Sequence, residues 1–193
     1  MTDFMVLRLS KEAPAAHWGN ADVTFQNNQA VIHLQDGDEL RQIQQASRKL
    51  RSQGLVKLSL EGEWWDLDSQ WALSQGFATA KSTPDISWTG DKVTQLALTH
   101  RLSSATFARY LVNETPENLA PVKLATLAAH WLLEIGGDKV SYRIIEGDQL
   151  LEDNWQGIHA VGRGSVRPPA MLELDYNPLG DNAPVSVALV GKG

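Results

Sequence analysis

The order in which strand-like and helical patterns succeed one another over residues 6–60 constrains the fold more than any other feature. Strand-like runs at Val6–Leu9, Val23–Phe25 and Ala30–Leu34 precede a helical pattern, and Leu55–Leu60 reads as a strand again. Asn27-Asn28 lies between the second and third runs as a turn, so those two form a hairpin. Asp36 or Asp38 caps the helix, Leu40, Ile43, Ser47 and Leu50 mark its apolar face, and Gly54 stops it. A strand–helix–strand succession is an α/β unit, because the apolar stripe of the helix must be buried against a sheet. Asp66 or Asp68 starts a further helix through Trp71, Leu73 and Phe77.

Ala78–Gly90 is rich in Lys, Ser, Thr, Pro and Asp and reads as a loop with a brief strand at Ile86–Trp88. Lys92–Val112 is a long helix with apolar residues at Val93, Leu96, Ala97, Leu102, Ala105, Ala108 and Leu111, a connector between domains that leaves His100 solvated. Residues 113–121 break this pattern, and Pro121 opens the next helix, where a missing amide proton costs no internal bond. Its stripe of Leu124, Leu127, Ala128, Trp131, Leu132 and Ile135 packs in a core rather than forming a cofactor box, and Gly136-Gly137 ends it. Val140–Ile145 is strand-like, and Gly147–Asn154 is a short acidic helix or turn. After the Gly157–Val161 segment, Ala170–Tyr176 and Val185–Val190 read as buried strands of a covered sheet. The expected fold class is α/β. Residues 1–112 form an N-terminal domain, a mixed sheet flanked by helices that ends in the long connecting helix, and 113–193 form a linker and an incomplete second α/β unit.

Composition narrows the chemistry. The chain has 193 residues and no cysteine, which excludes disulfide scaffolds, zinc ribbons and thiol nucleophiles. The net charge of -6, with no basic run beyond Arg48, Lys49 and Arg51, argues against nucleic acid as a partner. Met1–Leu9 has neither the basic start nor the apolar length of a signal or membrane segment, so the expected location is the cytoplasm. Tandem Trp64-Trp65 serves a core or an interface rather than a ligand platform. His17, His33, His100, His130 and His159 are too dispersed for a metal cluster, and no His-Glu-x-x-His is present. Gly162-Arg163-Gly164-Ser165 is neither a P-loop nor a dinucleotide fingerprint and reads as a structural turn, with an anion site at Arg163 and Arg167 as the minor alternative. The chain ends Val190-Gly191-Lys192-Gly193, a strand running into a glycine-rich turn. Ligands of open α/β sheets gather beyond such strand ends, so the sequence reads as cut short there.

Several motifs carry a family resemblance. Val190-Gly191-Lys192-Gly193 resembles the start of the leucyl aminopeptidase signature, in which Gly-Lys-Gly precedes a hydrophobic–Thr–Phe–Asp–Ser–Gly–Gly run. His159–Pro169 resembles that family's Val-Gly-x-Gly-Ser-x-x-Pro segment, and Leu172–Pro178 the strand after it. Asn113-Glu114-Thr115-Pro116 with Leu119 and Pro121 resembles its linker, departing only in having Glu114 where a small residue is usual. His17-Trp18-Gly19, Ile43–Lys49, Leu60–Trp65, Trp71–Gly76 and Val140–Ile144 are similar to the peptidase B-type branch.

The resemblance implies a cytoplasmic exopeptidase that removes N-terminal residues from peptides with two adjacent divalent cations, manganese in this branch, and that assembles as a homo-hexamer. It also implies a peripheral α/β N-terminal domain and a C-terminal catalytic domain. Lys192 matches the family's lysine ligand to one metal. An amine with a reference pKa of about 10.4 can ligate only when a neighbouring cation displaces its proton. The carboxylates that hold the cation follow this lysine in the family, as do the catalytic lysine and the arginine. The fragment is therefore expected to bind no manganese, to have no catalytic residue of its own, and to serve assembly and substrate access. The alternative is a stand-alone module that binds a small anion or nucleotide.

Overall fold

A computed structural model describes residues 4–79, 85–180 and 184–191. It divides into two compact units, Met1–Arg109 and Tyr110–Gly193.

The first unit is built on a mixed five-stranded sheet. Strands β1 (Met5–Ser10), β2 (Val23–Gln26), β3 (Gln29–His33), β4 (Lys57–Leu60) and β5 (Asp85–Ser87) lie in the order β2-β3-β1-β4-β5. The β2–β3 hairpin is antiparallel, with Asn27 at φ 53°, and every other pairing is parallel. The register aligns Leu7 with Ala30 and Leu60, and Leu9 with Ile32, so alternate residues of neighbouring strands share one face. That face pools with helices α1 (Glu39–Ser52) and α2 (Leu67–Phe77) in one core, which includes Leu7, Ile32, Ile43, Leu50, Leu58, Leu73 and Phe77. The α/β expectation for this unit is met.

Local chemistry sets the helix limits. Asp38 caps α1 by accepting from Arg41 N–H at 3.0 Å, and Gly54 at φ 87° follows its C-cap. Asp66 caps α2 by accepting from Ser69 N–H at 2.7 Å. The two helices meet closely at Gly76. A Cβ there would lie 1.5 Å from Ser47 Oγ and 2.4 Å from the Gln44 carbonyl. Arg51 closes the same contact by donating to the Gly76 and Ala78 carbonyls, each at 3.0 Å. Buried Gln70 donates to the Asp66 carbonyl and accepts from Thr89 N–H, tying the segment after β5 to α2.

One expectation fails in this unit. Leu40 is exposed, and the buried face of α1 is formed by Ile43, Ala46, Ser47 and Leu50. The tandem tryptophans divide. Trp65 is buried, whereas Trp64 is 53% exposed at φ 74°, with Lys11 Nζ 4.5 Å from its ring centre. A bulky residue rarely adopts a positive φ; here the Trp64 carbonyl accepts from Asp66 N–H and the Ser69 hydroxyl.

Helix α3 (Lys92–Asn113) carries the chain onward and buries only Leu98 among its described residues. Arg101 pairs with Asp68 and Arg109 with the Gln75 side chain, both on α2.

The second unit contains α4 (Pro121–Gly136), β6 (Val140–Glu146), α5 (Gln149–Glu152), α6 (Gln156–Gly162) and β7 (Ala170–Tyr176). β6 and β7 pair antiparallel, and α4 packs on both. The expected α4 stripe is displaced. Ala125 and Ala129 are buried, while Leu127 and Ile135 are exposed. The helix approaches the strands through small residues, and a Cβ on Gly136 would come within 2.3 Å of Val140. Gly157–Val161 lies within α6. Val185–Val190 forms no strand; Leu189 is 94% and Val190 97% exposed, because no neighbouring strand among the described residues pairs with it. β7 is half-buried rather than covered, and Tyr176 is exposed.

Three outcomes follow from this packing. Gly76→Ala should destabilise the chain by about 1–3 kcal/mol, because a backbone carbonyl must yield, and the denaturant midpoint reads it. Burial raises the Asp66 pKa, but hydrogen bonds from Ser69, chiefly its backbone N–H, outweigh this and hold the carboxyl below its ordinary value. The cap therefore stabilises fully above the ordinary carboxylate range and fades as pH falls through the folded value. Asp66→Ala should cost about 1 kcal/mol at neutral pH and much less in acid, measured by urea unfolding at both. Amide exchange should be faster in 113–180 than in the sheet of the first unit, since the buried apolar residues described after Arg109 are few: Ala125, Ala129, Val140, Ile145 and Leu150.

Candidate functional site

The motif-bearing segments of the second unit converge on a cleft of about 260 Å³ lined by Glu117, Ala120, Pro121, Val122, Lys123, Glu146, Arg167 and Pro168. One wall is the linker. Thr115 accepts from the N–H groups of Asn118 and Leu119, turning the chain into α4 with Pro121 in the first turn. The opposite wall is the turn after α6. Ser165 N–H donates to the Gly162 carbonyl at 3.0 Å, and Ser165 Oγ accepts from Arg167 N–H at 3.1 Å. Gly162 is required by close approach, since a Cβ there would lie 2.3 Å from Pro169 Cβ. The Gly-x-Gly-Ser-x-x-Pro pattern is thus a compact turn that seats its own prolines.

Arg167 bridges the cleft to the Glu117 carboxylate, and Lys123 Nζ donates to the Glu117 carbonyl at 3.2 Å. Arg163 is exposed on the turn and shares no acceptor with Arg167 among the described residues. The two arginines are not assembled into an anion cradle, and the small-anion or nucleotide reading is not favoured.

On one face of the two-stranded sheet Arg143 is the organising charge. Its register partner Glu173 accepts from Nε at 3.0 Å and from a terminal nitrogen at 2.8 Å, and Asp153 accepts from the other at 3.1 Å. The Glu173 hydrogen bond raises the Arg143 pKa further above its already high value. Glu173 is therefore committed to an ion pair. His159 Nε2 lies 3.2 Å from Asp148, and His33 is satisfied by Thr24 Oγ1 and the Glu12 carbonyl. Among the described residues no group of three or more His, Asp or Glu side chains could hold a metal ion. Lys192 lies outside the described residues, and neighbouring Gly191 is exposed in irregular chain.

Pattern reading missed the Glu117–Arg167 and Arg143–Glu173–Asp153 pairs. Only the second left a signal, as opposite charges on two strands that the register sets face to face.

Two family models match, one described as "Peptidase" over residues 6–92 and one as the catalytic domain of the cytosol aminopeptidase family over residues 106–193. Peptidase B of Vibrio parahaemolyticus is 44% identical over 197 residues, and peptidase B of Cronobacter sakazakii 42% over 196. Each match spans 100% of this chain and 46% of the relative, so the chain spans about half the length of the curated relatives it matches. Among solved structures, the cytosol aminopeptidase of Coxiella burnetii shares the fold at a TM-score of 0.66 and 18% identity, over 90% of this chain and 44% of its own. The bottromycin maturation enzyme BotP, solved in complex with Mn, does so at 0.62 and 21%, over 91% and 46%. The chain is thus similar along its whole length to the N-terminal part of peptidase B proteins, and its residues 106–193 match the catalytic domain of the cytosol aminopeptidase family.

Proposed function

We propose that this chain is the N-terminal portion of a metal-dependent aminopeptidase that releases N-terminal amino acids from peptides, and that the portion is inactive alone. The observation that carries the reading is the end-to-end identity with peptidase B relatives, together with the catalytic-domain match over residues 106–193. The described residues do not fit a dinuclear metal centre, since they hold no acid or histidine cluster able to bind an ion. No hydrolytic step is assigned to them. In the whole enzyme Lys192 would be one ligand among carboxylates supplied by other segments, and the bound cations, manganese in this branch, would activate a water for attack on the peptide carbonyl. Residues 1–112 form a domain that shapes assembly, as a homo-hexamer, and substrate access in the cytoplasm. Residues 113–193 form the linker and the opening of the catalytic domain. Among the described residues no helix is long and apolar enough to cross a membrane.

The expected outcome is no manganese-stimulated release of amino acids from dipeptides by residues 1–193. Co-expression with the remaining C-terminal segment of Vibrio parahaemolyticus peptidase B should restore that release, and Lys192→Ala should return it to background. Turnover by the isolated chain would overturn the predicted inactivity. Failure of a soluble co-assembled pair to hydrolyse any dipeptide would overturn the aminopeptidase assignment.

A further inference from the structure

Between β3 and α1 stands the only Asp-Gly pair in the sequence, Asp36-Gly37. Both sides of it are anchored. The Gln42 side chain accepts from Gln35 N–H at 2.8 Å and donates to the Gln35 carbonyl at 2.9 Å, while Asp38 caps α1. Between these anchors Asp36 and Gly37 are exposed and belong to no helix or strand. Gly37 holds φ 124°, and a Cβ there would meet nothing closer than Gln42 Nε2 at 3.9 Å. Among the described residues neither the Asp36 carboxyl group nor the Gly37 N–H has a hydrogen-bond or ion-pair partner. The two groups that must react are adjacent, free and open to water, and the glycine presents the least shielded amide nitrogen a chain can offer.

We propose that Asp36-Gly37 is a modification site, at which aspartate isomerises spontaneously to an L-isoaspartyl residue recognised by a protein isoaspartyl O-methyltransferase. Gly37 N attacks Asp36 Cγ. The N–Cγ bond forms as the Cγ–O bond breaks, and the amide proton leaves with the carboxyl hydroxyl as water, closing a cyclic succinimide. Water then adds at the Asp36 main-chain carbonyl carbon and breaks its bond to Gly37 N. The chain now runs through Cβ and Cγ, and a free α-carboxylate becomes the side group. One water is lost and one regained, with no change of oxidation state. The product inserts a methylene into the short loop closed by the Gln35–Gln42 clamp, one residue before the Asp38 cap, and so loosens the first turn of α1.

The test ages the whole folded chain at neutral pH and 37 °C. Aged samples are treated with an isoaspartyl methyltransferase and labelled S-adenosylmethionine, and peptides are located by electron-transfer fragmentation. Label should grow with ageing and map to Asp36, and Asp36→Glu should lose it. Circular dichroism of Asp36→Glu should match the parent, since the exposed carboxylate holds no partner. Asp36→Asn should add a gain in mass from deamidation at the same position. Absence of label from the aged parent, label confined to other aspartates, or undiminished label in Asp36→Glu would each overturn the proposal.

Discussion

Two helices have to cover one apolar face of a five-stranded sheet, and the first unit depends on how closely they approach. The contact is made at Gly76, where the α2 backbone lies against Ser47 and the Gln44 carbonyl of α1. No larger residue fits without moving main chain, which is the stiffest part of a packed interior. Arg51 reinforces the approach from the α1 side by satisfying two carbonyls at the end of α2, groups a helix terminus leaves without internal partners. Sheet register, helix placement and the Asp66 and Asp38 caps are consistent with this one distance. Local and tertiary preferences agree at these contacts, with Trp64 at its positive φ as the exception.

The second unit is held differently. Its buried apolar set among the described residues is small, and ion pairs at partly exposed positions join its segments: Arg143 with Glu173 and Asp153, and Arg167 with Glu117. Solvent-accessible pairs of this kind contribute little stability individually. What they add is orientation. Arg143 fixes the β6–β7 register against the segment after α5, and Arg167 sets the linker opposite the Gly162–Pro169 turn. Gly162 of the Gly-x-Gly-Ser-x-x-Pro motif is explained by backbone geometry, its close approach to Pro169.

The parts of the fold legible in the sequence are those whose cause is local. The hairpin at Asn27-Asn28, the capping aspartates and the glycine stop after α1 each depend on a few consecutive residues. Periodicity was less informative for α4, whose apolar residues cover much of its circumference; the choice of the Ala125–Ala129 line over the leucines is made by the strands beneath it. Val185–Val190 has the composition of a strand, but a strand exists only where a neighbour pairs with it. For the site, Lys192 was singled out only through family resemblance, and it lies outside the described residues. The Glu117–Arg167 pair links residues fifty apart, a separation that leaves no trace in pattern.

The exposure of Val185–Val190 bears on how the chain behaves at high concentration. Val-Ser-Val-Ala-Leu-Val combines strong β-propensity with no charge and no proline, and its backbone carries no ladder. Such a stretch is a template for pairing with its own kind, stacking identical side chains between molecules as fibrils do. The net charge of -6 resists that encounter through mutual repulsion. Salt screens the repulsion without weakening apolar contact, so higher ionic strength favours pairing through this exposed run.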